Sequence, residues 1–254
     1  MSRDRLDTEM VRRDLARSRT EAQALIAEAK VVVRGIPTPK SASLVTTDTP
    51  ITISSDERRW VSRGALKLLA ALEEFAIDVK GKKAIDVGAS TGGFTEVLID
   101  AGARSVLALD VGRGQLHESL RADDRVTPLE RTNVRHVEVG EIGGPYPVAV
   151  ADLSFISLCT VAAKLSELTT EDADLIVLVK PQFEVSKSEV GRGGIVREPE
   201  VRRRAIRKVA DCLAEVGLKG QGLLESPIPG GDGNLEYLLW LRKDRAMADL
   251  EVDQ

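Results

Sequence analysis

The sequence predicts an α/β protein: a doubly wound, mostly parallel sheet that follows a small α+β module. Three observations carry this prediction. Apolar, strand-like segments alternate with helical patterns over residues 83–241, an order typical of parallel sheets covered by helices. A glycine-rich turn follows the first of these strands, where such sheets bind ligands. A helix pair and short strands fill residues 1–56.

The N-terminal module begins with two helices. Apolar side chains recur at helical spacing through residues 6–30 and break once in the middle, where Ser18 or Thr20 is suited to cap the second helix. Short strands are expected at 31–33 and 51–53, with turns that contain proline and glycine between them. The pattern indicates a compact α+β domain.

This module is also basic. Nine Lys and Arg residues precede residue 46, against six Asp and Glu, so this part carries +3 and the remaining chain, by subtraction from the net −4, carries −7. A basic module on an acidic body indicates that one part binds a polyanion, although a solvated helix face with ion pairs also explains the charges. The candidate phosphate contacts are Arg5, Arg12, Arg13, Arg17 and Arg19.

A polar linker at residues 57–63 is expected to join the module to a body at 64–246, with a tail at 247–254. Its tryptophan either docks the linker on the body or stacks on a nucleic-acid base. The candidate RNA contacts in the linker are Arg59, Trp60 and Arg63.

The body contains seven candidate strands, at 83–87, 105–110, 126–129, 147–152, 174–180, 221–225 and 235–241. Helical patterns lie between most of them, so those strands are expected to run parallel. The last two strands are joined instead by a loop rich in proline and glycine. This connection predicts a hairpin and one antiparallel edge strand.

The turn after the first strand is the cofactor signal. It reads D-x-G-x-x-x-G-G from Asp86, and a helix is expected to start near Gly93. Glycine lets the backbone approach a ligand, although an ordinary strand-to-helix turn can give the same pattern. Asp110 ends the second strand about 20 residues beyond the first glycine, where such folds hold ribose hydroxyls. A carboxylate at Asp86 would repel a pyrophosphate and attract a sulfonium, so we expect S-adenosylmethionine rather than NAD. The candidate cofactor contacts are Asp86, Gly88, Ala89, Ser90, Thr91, Gly92, Gly93, Phe94, Asp110, Val111 and Asp152.

Four ionisable residues are expected at the rim of the same crevice. Asp152 and Lys180 end two consecutive strands, and the carboxyl ends of strands face the ligand in open α/β sheets. Lys67 lies in the helix before the first strand, and Glu236 lies in the last strand. Two amines and two acids beside a cofactor indicate proton abstraction from an alcohol. Taken singly, each residue also has a structural explanation, as a solvated charge or as part of an ion pair.

The N-terminal module contains the segments Arg5-Leu6-Asp7, Val11-Arg12-Arg13 and Val31-x-Val33-x-Gly35. The linker and body contain the segments Ser62-Arg63-Gly64-x-x-Lys67-Leu68, 86–95, 108–116, 152–157, 179–184 and Gly233-Asn234-x-Glu236-Tyr237. The segments of the body resemble the FtsJ-like (RrmJ-type) 2'-O-ribose methyltransferases, which carry a Lys-Asp-Lys-Glu tetrad on a Rossmann-like sheet. The N-terminal segments resemble the S4 RNA-binding domain, with Ala29 where that domain usually has glycine. Together they resemble the TlyA family of rRNA cytidine-2'-O-methyltransferases.

The resemblance implies the chemistry of the site. A ribose hydroxyl is a poor nucleophile, so both a base and rigid alignment are required. Lys180, held partly neutral by burial and by Lys67, would take the 2'-hydroxyl proton or stabilise the alkoxide, while Asp152 and Glu236 would orient lysine and ribose. The implied substrate is cytidine in ribosomal RNA, 16S or 23S or both, with ribosomal subunits as partners. No residue in these motifs distinguishes cytosine from uracil.

A glycine-rich segment at residues 183–197 directly follows the second tetrad lysine. We expect a mobile flap over the site, with Lys187 and Arg192 helping to hold RNA. Beyond it, a basic stretch at 202–208 is either a solvated helix face or a phosphate contact.

Composition excludes several classes of protein. The 254 residues are 43% hydrophobic and 30% charged, which is ordinary for a globular chain. No apolar run approaches the ~20 residues of a membrane span, and the N-terminus lacks a signal-peptide core, so we expect a cytoplasmic protein. Two histidines and two distant cysteines argue against a metal site and predict free, buried thiols at Cys159 and Cys212.

Three other functions fit parts of the sequence. A non-catalytic S4-type RNA-binding or ribosome-assembly protein would keep the fold without methyl transfer. A haemolysin is suggested by the names of some relatives, although the sequence contains no membrane span or lipid-facing amphipathic segment. A DNA or protein methyltransferase would share the sheet, but the tetrad and the S4 motifs favour RNA. The sequence carries no signal for an oligomeric state.

Overall fold

The structure is a computed structural model that describes residues 4–27, 30–33, 36–37, 40–53, 60–248 and 250. The chain divides into two compact units, Met1–Arg63 and Gly64–Gln254. Three residues of the motifs above, Ala29, Gly35 and Arg59, lie outside the described residues, and Arg192 is described in its backbone alone.

The described part of the first unit consists of β1 (Asp4–Arg5), α1 (Leu6–Arg12), α2 (Arg19–Ala27), β2 (Val31–Val33), β3 (Ile36–Pro37), β4 (Leu44–Val45) and β5 (Ile51–Ile53). Strand β2 lies between β3 and β5 in an antiparallel sheet, and β1 pairs with β4. The two helices follow the predicted pattern, and the hydroxyl of Ser18 caps α2 by accepting the N–H of Glu21 at 3.2 Å. Leu6, Met10 and Ile26 are buried between the helices and the strands.

Asp7 is a fully buried carboxylate in α1 that accepts hydrogen bonds from several side chains. Arg5 donates to both of its oxygens at 3.0 Å, while Arg19 and Gln23 donate to Oδ2 at 3.0 and 2.8 Å. These hydrogen bonds, that from Arg5 above all, hold the pKa of Asp7 below its usual range. The side chains of Arg5 and Arg19 remain about half exposed, at 44% and 56%. Two of the candidate phosphate contacts are therefore accessible, but each shares its charge with a carboxylate.

Glu9 holds two further arginines. Arg12 donates to its two oxygens at 2.7 and 2.5 Å, and Arg13 donates to Oε1 at 2.7 Å. The bonds from Arg12 and then from Arg13 lower the pKa of Glu9 to about 2. Arg13 also donates to the carbonyl oxygens of Thr46 and Thr49 at 2.8 and 2.7 Å. Arg13 therefore fastens a turn of the first unit, a structural role that the charge count does not reveal.

The second unit is built on a seven-stranded sheet in the order β11-β12-β10-β9-β6-β7-β8. Its strands are β6 (Lys83–Val87), β7 (Ser105–Leu109), β8 (Val126–Leu129), β9 (Tyr146–Ala151), β10 (Thr169–Val179), β11 (Lys219–Glu225) and β12 (Tyr237–Arg242). The pairs β10–β9, β9–β6, β6–β7 and β7–β8 are all parallel. The predicted α/β architecture with a mostly parallel sheet is confirmed.

The position predicted for the antiparallel strand is wrong. Strand β12 runs antiparallel to both of its neighbours, β10 and β11, so it lies one place in from the edge. Strand β11 forms the edge and runs in the direction of the parallel strands. The loop between β11 and β12 did indicate a hairpin, but a hairpin pattern does not say which of its strands pairs with the rest of the sheet.

The helices of the second unit are α3 (Ala65–Glu74), α4 (Gly93–Asp100), α5 (Glu118–Arg121), α6 (Ala162–Glu167), α7 (Pro181–Glu184) and α8 (Pro199–Ala214). Residues 175–179 of β10 are buried on both faces of the sheet, as expected where helices cover both sides. Ile206, Val209 and Leu213 of α8 pack into the same core. Among the described helices, none is long and apolar enough to cross a membrane.

Cys159 and Cys212 form a disulfide, whereas the sequence predicted two free thiols. The two residues are 53 positions apart and belong to no spacing motif. Helix α8 packs against the short 3-10 helix Leu158–Val161, which brings the two Cα atoms to 5.6 Å, within the range of a disulfide. Tertiary packing therefore creates a pair that sequence spacing did not indicate.

Replacing the buried carboxylates, as Asp7→Asn with Glu9→Gln, should destabilise the first unit at neutral pH, by about 1–3 kcal/mol for each lost partner. Because both pKa values are lowered on folding, this stabilisation is present above the unfolded pKa and disappears as pH falls, for Glu9 between 4.5 and about 2. Calorimetric unfolding of the full chain at pH 7, 5 and 3 measures the effect. The exposed Glu215→Gln is the control, and an unchanged pH dependence in the double variant would contradict the assignment.

Candidate active site

The ends of four neighbouring strands set the geometry of the site. Val87 pairs with Ala151 between β6 and β9, and Val179 pairs with Tyr237 between β10 and β12. In each pair the adjoining residue leaves the sheet at the same edge. The residues brought to this edge are Gly88, Asp152, Lys180 and Glu236.

Lys180 lies between two oxygen atoms of the loop that follows β9. Its Nζ is 2.5 Å from Asp152 Oδ1, as an ion pair without the angle of a hydrogen bond, and donates to Ser154 Oγ at 2.8 Å. The side chain of Lys180 is 11% exposed and that of Asp152 is 26% exposed. This pair is therefore shielded but still open to a ligand from one side.

Lys67 and Glu236 form the second pair. Helix α3 directs Lys67 to the sheet, where its Nζ donates to Glu236 Oε2, and both residues are buried. Gly230 lies against the same carboxylate, and a Cβ at that position would overlap Oε1. Lys67 thus neutralises Glu236 directly, whereas the sequence analysis had expected its charge to act on Lys180. The structure brings the four predicted residues to one edge as two pairs of opposite charge.

The glycine-rich turn packs tightly against this edge. Gly88 and Gly92 have φ of +89° and +99°, a conformation that favours glycine. A Cβ on Gly88 would overlap the carbonyl oxygen of Asp152. The N–H groups of Gly88 and Ala89 both donate to Leu109 O, at 2.8 and 3.1 Å. The turn is therefore fixed between the ends of β7 and β9 and forms a glycine cradle, in which Gly88 and Gly92 pack directly against Asp152, Leu116 and Leu120.

Asp110 binds the outer side of this turn. Its carboxylate accepts the N–H of Ser90 at 2.8 Å and that of Gly112 at 2.6 Å, and each oxygen keeps a lone pair for a further donor such as a ribose hydroxyl. The next residue, Val111, is an apolar side chain left 69% exposed, and Ser90 and Thr91 are exposed beside it. An acidic group next to an exposed apolar surface fits a nucleoside-bearing cofactor.

Asp86 lies behind the turn rather than in the cleft. It is fully buried, and its Oδ2 accepts the hydroxyl of Thr95 at 2.6 Å. Its Oδ1 has no hydrogen-bond partner among the described residues. Burial raises the pKa of Asp86 to about 7. A buried Asp86 does not contact a sulfonium directly, as the sequence argument had assumed. Asp86 and the buried Phe94 instead stabilise the turn from the interior of the unit.

Two aromatic residues beside Lys180 were missed as site residues. Phe155 is 91% exposed and has a φ of +64°, which is unusual for a bulky side chain. Its ring lies 5.1 Å from that of Phe183, with the planes tilted by 50°. The sequence did contain the signal, an aromatic residue in each loop after Asp152 and Lys180. Their exposure and contact depend on loop conformations that a sequence pattern does not give.

The segment at 183–197, predicted as a mobile flap, is tied to its neighbours. Arg202 of α8 donates to the carbonyl oxygens of Val196 and Arg197 at 3.2 and 2.6 Å. Asn234 accepts the N–H of Val196 at 2.9 Å and donates to Gly194 O at 2.9 Å. Arg204 contacts Glu189 in the same segment.

The basic stretch of α8 thus holds this segment in place. The sequence had suggested either a solvated helix face or a phosphate contact for this stretch, and neither interpretation includes such a role. Lys187 is exposed within it, and Trp60 and Arg63 of the first unit are partly exposed. In the described part of the chain, His, Cys, Asp and Glu form no group of three that could hold a metal ion.

The chain is similar to proteins of known sequence and structure. Residues 60–243 match the model of the FtsJ-like methyltransferase family. The 16S/23S rRNA (cytidine-2'-O)-methyltransferase TlyA of Mycobacterium tuberculosis (strain CDC 1551 / Oshkosh) is 53% identical over 249 residues, which cover 97% of this chain and 93% of that protein.

Two solved structures carry the name hemolysin. That from Lactococcus lactis has a TM-score of 0.74 and 40% identity over 77% of this chain and 96% of its own. That from Streptococcus thermophilus has a TM-score of 0.74 and 36% identity over 98% of this chain and 92% of its own.

Gly88→Ala tests the packing of the turn against the strand end. The new Cβ must displace the backbone of Asp152, whereas at Gly81, also with positive φ (+72°), a Cβ meets open space. Gly88→Ala should therefore lower the free energy of unfolding by about 1–3 kcal/mol more than Gly81→Ala, and it alone should weaken binding of S-adenosylmethionine in calorimetric titration. Equal effects of the two substitutions would count against the cradle.

Proposed function

The chain belongs to the FtsJ-like methyltransferase family and, within it, to the TlyA proteins, and on this premise we propose that it methylates the 2'-hydroxyl of cytidine in ribosomal RNA with S-adenosylmethionine as donor. One observation carries the proposal: two lysine–carboxylate pairs meet at the same sheet edge as the glycine cradle. The cytidine and the ribosomal RNA come from the name of the similar Mycobacterium tuberculosis protein. The substrate implies ribosomal subunits as partners and a cytoplasmic location.

Lys180 is the residue that acts on the hydroxyl. When bound, S-adenosylmethionine supplies an electrophilic methyl group. The ribose oxygen must carry negative charge to react, and the ammonium of Lys180, partly enclosed, stabilises that charge more strongly than water would. We favour electrostatic stabilisation of the developing alkoxide by Lys180, with the hydroxyl proton passing to solvent water at the open side of the Lys180–Asp152 pair, over the use of Lys180 as the base.

Asp152 and the second pair position this amine. Asp152 and Ser154 fix Nζ from one side, and Glu236 adjoins Lys180 from β12, where it is held by Lys67. Rigid placement of reacting groups contributes to the rate because the alignment is made before the reaction. The tetrad thus divides into one reacting lysine and three residues that orient and neutralise.

Phe155 suits an RNA base. Proteins that bind unpaired RNA stack its bases on aromatic side chains. An exposed phenyl ring on the residue directly after Ser154, backed by Phe183, offers such a surface beside the reactive lysine. In the first unit, the half-exposed arginines held by Asp7 and Glu9 support contacts with phosphates of the S4 type.

Methyl transfer to isolated ribosomal subunits tests the function. Small and large subunits from cells that lack the protein are incubated separately with the purified chain and labelled S-adenosylmethionine, and the modified ribose is mapped. Label at a cytidine 2'-oxygen supports the proposal. Binding of RNA without transfer would favour the non-catalytic alternative instead.

Lys180→Ala should reduce turnover by about 100-fold to 1,000-fold, the loss expected for one charge-stabilising group, while S-adenosylmethionine still binds, because the lysine acts on the hydroxyl rather than on the glycine cradle. The matched control is Lys83→Ala, an exposed lysine at the opposite end of β6. Single-turnover methyl transfer with saturating cofactor makes the measurement. Near-normal turnover in Lys180→Ala would discard the mechanism.

Phe155→Ala should raise KM for RNA by about 5-fold to 100-fold, since stacking on an aromatic ring is worth about 1–3 kcal/mol per base. Folding should be unaffected because the ring is 91% exposed. Met247→Ala, which removes another exposed apolar side chain, is the control. An unchanged KM and kcat with minimal RNA substrates would remove Phe155 from the site.

A further inference from the structure

Glu184 is a buried carboxylate that the mechanism above does not use. It is the last residue of α7, four positions after Lys180, and it is 4% exposed. Its side chain accepts the hydroxyl of Ser157 at 2.6 Å and the N–H of Leu158 at 2.8 Å. Both donors belong to the loop after β9. Glu184 therefore connects the two loops that carry the site.

Two contacts at the site each join one residue of the first loop to one residue of the second. The connection after β9 carries Asp152 and Phe155, and the connection after β10, which contains α7, carries Lys180 and Phe183. The ion pair and the aromatic pair both form between the loops. A rigid connection between the loops sets the distances in both contacts at once.

Burying a carboxylate costs free energy, which is unfavourable for a purely structural role. Burial raises the pKa of Glu184, because few groups compensate for the lost hydration. Among the described residues, Lys208 is the cation within 4 Å of this carboxylate: its Nζ lies 3.9 Å from Oε2 and donates its hydrogen bond to the backbone carbonyl of Glu184 instead, at 2.7 Å. A well-packed apolar residue would commonly give equal stability at such a position. What the carboxylate adds is two directional bonds to fixed donors.

The connection is anchored behind the site as well. Lys208 ties α7 to α8, and the disulfide between Cys159 and Cys212 ties the loop after β9 to the same helix. Both loops are attached to α8, and the bonds made by Glu184 attach the two loops to each other, so the three segments are joined pairwise. Movement of one loop against the other then requires these bonds to break.

We propose that Glu184 is a positioning residue of the methyl-transfer site, which holds the loop of Asp152 and Phe155 in register with the loop of Lys180 and Phe183. The inference rests on the proposed function for its effect on rate. Its effect on loop order does not depend on that function.

Substitution by glutamine separates positioning from charge. In Glu184→Gln the amide oxygen can accept the Leu158 N–H while the amide N–H donates to Ser157 Oγ, so both connections survive without the charge. In Glu184→Ala both are lost. The matched control is Asp174→Ala, which removes a carboxylate that is also buried and accepts bonds from Trp240 and Arg242, at 3.1 and 2.8 Å, on the far side of β10.

The full chain is assayed with the ribosomal subunit that the wild type methylates. Glu184→Ala should lower kcat by about 10-fold to 100-fold, with binding of S-adenosylmethionine within about 2-fold of wild type, a difference too small to reflect a lost contact. The pH dependence of kcat should shift, because the Lys180–Asp152 pair is disturbed. Glu184→Gln should retain most of the turnover, and Asp174→Ala should lose thermal stability with kcat unchanged. If Glu184→Ala does not fold, Ser157→Ala, which removes one of the two bonds to Glu184 together with the bond that Ser157 Oγ accepts from the N–H of Cys159, should show a smaller change in the same direction.

Hydrogen exchange gives a readout that does not require activity. Amides of residues 153–158 should exchange faster in Glu184→Ala than in wild type, and Asp174→Ala should leave them unchanged. Wild-type kcat and pH dependence in Glu184→Ala, or equal defects in Glu184→Ala and Glu184→Gln, would overturn the inference. A wild-type chain that transfers no methyl group would instead refute the proposed function, and exchange at 153–158 would then decide the positioning role alone.

Discussion

The pairing register of β12 against β10 decides which side chains meet at the edge of the sheet. Because Val179 is opposite Tyr237, the preceding residue Glu236 emerges next to Lys180. A slip of one residue would turn Glu236 and all of β12 to the other face. Consecutive side chains of β12 are buried on both faces of the strand, so the slip would require both packed layers to rearrange. Hydrophobic packing of this strand thus fixes the placement of a charged group.

Charge balance is the second constraint on this edge. Each buried lysine has its own carboxylate, so the enclosed region contains two neutral pairs rather than a field of one sign. Removing one member of a buried pair leaves an uncompensated charge that costs about 3–5 kcal/mol. The fully buried pair of Lys67 and Glu236 belongs to the framework by this criterion. The more open pair of Asp152 and Lys180 is the one that a substrate can reach.

The sequence predicted those parts that depend on local pattern. Strand ends and the glycine turn follow from periodicity and from the backbone freedom of glycine, so Gly88, Asp152 and Lys180 were placed correctly at one edge. Features decided by tertiary packing were not foreseen. The insertion of β12, the disulfide of Cys159 with Cys212, and the enclosure of Asp86 all depend on which segments lie against each other. Propensity and spacing contain no information on such contacts.

The carboxylates beneath the arginines of the first unit change how that surface behaves towards a nucleic acid. Affinity for RNA depends on ionic strength because each neutralised phosphate releases condensed counterions. A guanidinium already bonded to Asp7 or Glu9 brings less than a full charge to a phosphate. If this surface binds RNA, as proposed, it therefore releases fewer counterions than the number of its arginines suggests, and its affinity changes less steeply with added salt. Shape and hydrogen-bond direction would then contribute more to its selectivity.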